Sequence, residues 1–104
     1  MSKYSVKDLW NEIYGKQEDA YDYSGRLMKK SACRNPNSAY QPTIDHIRPL
    51  SMGGKDTKAN IVVCHFETNE EKGDSFPHWK VNGIRCYAKK KKGVQNGYEI
   101  IKER

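Results

Sequence analysis

The sequence predicts an α+β fold. Three observations carry that reading: an amphipathic helical pattern near the start, two short apolar strand signals around a Gly-containing loop in the middle, and a tight hairpin signal near the end. The 104 residues are expected to form one domain, 1–104, because halves of such a chain are too short to bury separate cores.

Taken in order, Ser5 to Tyr14 reads as a helix. Ser5 caps its start, Val6, Leu9, Trp10, Ile13 and Tyr14 recur on one face, and Gly15 stops it. Ala20 to Lys30 reads as a hairpin turning at Ser24-Gly25, so helix and hairpin fill 5–34. Arg34 to Pro42, rich in Pro and Asn, is a loop. Thr43 to Ile47 reads as a strand, Arg48 to Ala59 as a loop whose Gly53-Gly54 pair permits positive φ, and Ile61 to Cys64 as a second strand. A helix follows from Glu67 or Thr68, with Thr68 as its cap and Gly73 as its stop. His78 to Val81 and Ile84 to Lys89 flank Asn82-Gly83, the strongest two-residue hairpin signal, and Tyr98 to Lys102 adds a third strand to this C-terminal 78–102 region.

Composition narrows the function classes. Lys and Arg total 19 against 13 Asp and Glu, a net charge of +6, which suits a polyanionic partner such as nucleic acid, the alternative being a merely soluble surface. No apolar run of membrane-spanning length occurs, and the N-terminal residues lack the apolar core of a signal peptide, so a cytoplasmic protein is expected. Cys33, Cys64 and Cys86 are odd in number, far apart and free of any CxxC pair, so they read as small buried hydrophobes.

The chemistry concentrates in 43–74. A neutral His46 can take a proton from water near pH 7, and Asp45 beside it supplies a hard oxygen ligand. Asn69, arriving from a helix, offers a neutral oxygen. Asp, Asn and phosphate oxygens together suit one Mg²⁺ or Mn²⁺ better than zinc, and metal-assisted phosphodiester hydrolysis is work such a set can do.

The spacing is more specific than any one residue. DHI-x-P-x-S-x-G-G, five residues to Asn60, eight more to Asn69 and two more to Lys72 resembles the HNH endonuclease family over 43–74, with looser resemblance in the flanks to small standalone phage or bacterial members. The resemblance implies a ββα-metal, or His-Me finger, core. It implies that His46 is the general base, that Asp45 and Asn69 hold the metal, and that Asn60 pins the loop and orients the base. Asn at the last motif position occurs in several branches, among them the HNH domain of RNA-guided DNA nucleases. Many relatives carry two CxxC pairs for a structural zinc. Here His65 and Thr68 stand where the second pair falls and Cys33 lacks a partner, so no structural zinc is expected.

The function expected is therefore divalent-metal-dependent cleavage of DNA, duplex DNA foremost, by nicking or double-strand scission in a bacterial cytosol, the gene being bacterial or phage. Lys72 and Arg48 are candidate phosphate contacts, with a solvated basic residue as the alternative for each. His65 reads as a buried histidine at the strand–helix junction, with an additional site residue as the alternative. Rival functions are a catalytically silent DNA-binding module on the same scaffold and an RNase or toxin-like nuclease. Oligomeric state is not legible.

Overall fold

Local chemistry sets the first element. In the computed structural model, which describes residues 2–103, helix α1 covers Val6–Tyr14; Ser5 accepts the Asp8 N–H at 3.3 Å, and Gly15 closes the helix at φ 63°. Leu9 and Trp10 are buried, and the Trp10 indole N–H donates to the Gln17 carbonyl at 2.8 Å. Ile13, expected on the buried face, is 55% exposed: the core that α1 covers is narrower than its apolar stripe.

A short antiparallel hairpin follows, β1 (Asp19–Tyr21) and β2 (Leu27–Lys29). Its strands are shorter than the expected 20–30 span because Asp22 takes over the turn. One oxygen of its buried carboxylate accepts from the Ser24 N–H, the Ser24 hydroxyl and the Arg26 N–H at 2.9, 2.8 and 3.0 Å. The other accepts from the His65 N–H at 3.0 Å and the Thr68 hydroxyl at 2.6 Å, both on the following ββα unit.

That unit consists of β3 (Pro42–His46), antiparallel to β4 (Ile61–His65), and helix α2 (Phe66–Lys72). Ile61 and Val63 turn to one core with Leu9, Trp10, Ala20 and Met28, whereas Val62 turns to a second core with Ile47, Trp79, Val81, Cys86 and Tyr98. Apolar burial on both faces is why β4 reads as a continuous apolar run. The cap of α2 is His65 rather than Thr68: its Nδ1 accepts the Glu67 N–H at 3.0 Å, and Thr68 lies buried inside the first turn.

The second core is closed by the antiparallel order β5 (His78–Val81), β6 (Ile84–Lys90) and β7 (Tyr98–Lys102), with Asn82 and Gly83 both at positive φ in the β5–β6 turn. Cys64 and Cys86 are buried within these layers and Cys33 is half-buried; all three are free thiols. Among the described residues no helix is long and apolar enough to cross a membrane.

Burial pushes the Asp22 carboxyl up, but the hydrogen bonds from Thr68, Arg26, Ser24 and His65 outweigh it and hold the group below the usual carboxylate range. A depressed carboxyl contributes stability above its ordinary pKa and loses it as pH falls through the folded value. Asp22→Ala strands those donors; urea denaturation should show a loss of roughly 3 kcal/mol or more at pH 7 and a smaller loss in strong acid.

Candidate active site

Strand alternation sends Asp45 and His46 to opposite faces of β3. Asp45 stands opposite Val62 on the side of the second core, and His46 opposite Ile61 on the side of the first. At the end of β3 the two residues still line one cleft, shared with Ser51, Asn69 and Asp74.

The loop after β3 is held by Asn60, which is fully buried. Its carbonyl oxygen accepts the Arg48 N–H at 2.9 Å, and its amide donates to the Arg48 and Lys55 carbonyls at 3.0 and 2.9 Å. The two glycines of the loop have different work. Gly53 takes positive φ, at 87°, while Gly54 passes so close to Arg48 that a Cβ would lie 1.8 Å from the Arg48 carbonyl oxygen. Arg48 itself is engaged within the protein: Nε donates to the Met52 carbonyl at 2.8 Å, Nη1 to the Tyr98 hydroxyl at 3.2 Å, and the guanidinium lies over the Phe76 ring.

Asn69 enters from α2. Its amide N–H groups donate to the Thr43 hydroxyl at 3.0 Å and the Ile44 carbonyl at 3.3 Å. Those bonds orient the side chain, and its Oδ1 accepts no hydrogen bond from any described residue.

Lys72, considered above as a phosphate contact, is enclosed instead. Its ammonium lies 3.4 Å from Asp45 Oδ2, donates to the His46 carbonyl at 3.3 Å and sits 4.9 Å from the centre of the Trp79 ring. The long apolar stem of lysine suits burial, and no local pattern distinguishes this pose from a solvated one. His65 is likewise buried away from the cleft, with Nε2 2.6 Å from the Ala39 carbonyl and its ring stacked on Phe66.

Two acidic residues at the site carry no signal in the sequence pattern. Asp56, ten residues beyond His46 in a polar loop, places Oδ1 2.8 Å from His46 Nε2. It is secured by the Lys3 N–H at 2.7 Å and the Ser2 hydroxyl at 2.8 Å, and the hydrogen bonds from Lys3, His46 and Ser2 hold its carboxyl down at about 2. Asp74, just past α2, lines the cleft beside Asp45.

Asp45 is the electrostatic outlier. Oδ2 is buried with no hydrogen bond, only the 3.4 Å ion pair with Lys72, and desolvation pushes the carboxyl up to about 6 despite that cation. The Asp45 carboxylate and the Asn69 amide oxygen, on residues that line the same cleft, are a donor set that fits a hard divalent cation. Among the described residues no three His, Cys, Asp or Glu side chains form a closed cage, so water and substrate oxygens would complete the coordination.

The profile of the HNH endonuclease family matches residues 22–78, more than half of the chain. The chain belongs to that family. This HNH protein is also 25% identical, over 97 aligned residues, to CRISPR-associated endonuclease Cas9 1 of Streptococcus thermophilus. The match covers 85% of the chain and 8% of that relative's length. No solved structure matches this chain. Family and relative both support nuclease chemistry, and HNH nucleases generally use a divalent metal.

A carboxyl raised by folding makes the ion-free protein less stable as pH climbs from about 4 to about 6, because the folded state holds the proton longer than the unfolded one. Lys72→Met should therefore cost roughly 3–5 kcal/mol at pH 8, where it leaves a buried carboxylate without its cation, and clearly less at pH 5, where Asp45 is protonated. Denaturant melts at the two pH values check this; equal losses would mean that Lys72 acts through packing on Trp79 alone. Were Asp45 to hold a divalent ion, binding would displace its proton and affinity would weaken below about pH 6, which calorimetry across pH 5–8 would reveal.

Proposed function

We propose that this HNH protein is a divalent-metal-dependent DNA endonuclease that hydrolyses phosphodiester bonds, with duplex DNA as the foremost substrate. The observation that carries the proposal is the convergence of His46, Asp45 and Asn69 on one cleft, where the Asp45 carboxylate is buried without a hydrogen bond.

His46 acts as general base, taking a proton from a water that attacks phosphorus. Asp45 and Asn69 would hold one Mg²⁺ or Mn²⁺, which when bound would supply charge neutralisation for the phosphodiester and its leaving group. Asn60 keeps the loop from Arg48 to Lys55 closed over the end of β3, so that His46 keeps its place. Lys72 serves as the internal counter-charge that keeps Asp45 ionised and aimed, rather than as a contact to DNA. Arg48 braces the loop against the C-terminal sheet, leaving phosphate contact to the wider basic surface of a chain carrying a net charge of +6.

Plasmid cleavage in Mg²⁺ or Mn²⁺ tests this directly. His46→Ala should lower the rate by roughly 10²–10⁴-fold with divalent-ion affinity little changed. Asn69→Ala should weaken divalent-ion binding as well as the rate. Equal cutting by wild type and His46→Ala, or no cutting of duplex DNA by the wild type with any divalent ion, would sink the proposal; parallel assays on single-stranded DNA and structured RNA identify the preferred polymer.

A further inference from the structure

We propose that Asp56 is a positioning residue for His46: it fixes the imidazole in the tautomer protonated at Nε2, leaves Nδ1 as the basic nitrogen, and is itself held in place by Ser2 and Lys3. This deepens the nuclease reading above and rests on it.

The geometry requires that tautomer. Asp56 Oδ1 lies 2.8 Å from His46 Nε2, and an ionised carboxylate has only lone pairs to offer, so Nε2 must carry the hydrogen. Ordinary acidity already makes Asp56 a carboxylate at neutral pH, and the Lys3 N–H, His46 and Ser2 hold its carboxyl lower still. Nδ1 takes no hydrogen bond from any described residue, so its lone pair is unengaged. When Nδ1 accepts a proton from water, the ring becomes a cation with Asp56 already in place beside Nε2–H. The proton stays on Nδ1 and Asp56 stays ionised, its part being orientation and charge.

The clasp spans the chain. Lys3 N–H donates to Asp56 Oδ2 at 2.7 Å, and the Ser2 hydroxyl donates to Oδ1 at 2.8 Å while accepting the Tyr4 N–H at 3.1 Å. The segment before α1 thus holds the carboxylate that holds the base. It also makes a sharp prediction about amide replacement. In Asp56→Asn the Lys3 N–H can only donate and keeps the carbonyl opposite it, whereas the Ser2 hydroxyl and the His46 ring can both turn to accept; this puts the amide NH₂ against His46 Nε2. An NH₂ donates where the carboxylate accepted, so the ring should switch to the Nδ1–H tautomer and lose its basic nitrogen at Nδ1.

Two-bond ¹H–¹⁵N correlation spectra of the full chain, metal-free and at a pH where the ring is neutral, report the tautomer without requiring activity. The wild type should show His46 protonated at Nε2, Asp56→Ala a mixture of both forms, and Asp56→Asn mainly Nδ1–H. Plasmid cleavage should fall roughly 10- to 100-fold in kcat for Asp56→Ala and further for Asp56→Asn, with KM little changed and partial recovery in Asp56→Glu. An Nδ1–H wild type, or an Asp56→Asn protein that retains the wild-type tautomer, overturns the proposal; Asp56→Asn, nearly isosteric, carries the test if Asp56→Ala does not fold. A wild type that shows the Nε2–H form yet cuts no nucleic acid refutes the nuclease function and leaves the positioning of His46 by Asp56 standing.

Discussion

The Asp22 carboxylate is the joint on which the architecture turns. It accepts five hydrogen bonds, three from its own hairpin turn and two from the β4–α2 junction, and so locks an N-terminal hairpin to the ββα unit that carries the site. With a thin apolar core and 31% charged residues, the chain needs a strong polar tie of this kind. His65 and Thr68 bond to Asp22 through a backbone N–H and a hydroxyl. A fully hydrogen-bonded buried carboxylate rigidifies this junction, because leaving any one donor unpaired is expensive.

From that joint the placement of the site follows mechanically. His65 caps α2, so the axis of the helix is fixed at its first turn; Asn69 and Lys72, one turn apart on it, then meet β3 from the same side. Asn69 is oriented by Thr43 and Ile44, and Lys72 is buried against Trp79 beneath Asp45. The result is a local cost in stability. Asp45 keeps a buried oxygen without a hydrogen bond, which a protein optimised for stability alone would not tolerate, and which a cation would satisfy.

The periodic elements were legible in the sequence. The α1 helix, the β3 and β4 strands and the three C-terminal strands all lie within a residue or two of their expected spans, because each is specified by a local pattern of burial, a cap or an Asn-Gly turn. What local pattern misplaced was set by long-range partners. Thr68 looked like a helix cap but is drawn inside by Asp22, 46 residues earlier, which leaves the cap to His65. Ile13 continues the apolar stripe of α1 past the edge of the core it covers. Arg48 and Lys72 looked like surface cations, and both are engaged by protein groups from other elements.

Fold class, the order of the elements and the family can be read without coordinates, since those depend on periodicity and on the spacing of a motif contained within 43–74. How the charges are paired depends on the three-dimensional packing. Asp56 reaches His46 across a loop closed by Asn60, Lys72 reaches Asp45 across the packing of α2 on β3, and Ser2 reaches Asp56 across 54 positions of sequence. No periodicity encodes such pairings: a charged side chain in a polar loop looks the same whether solvent or a histidine faces it, and the difference appears only when folding removes the water.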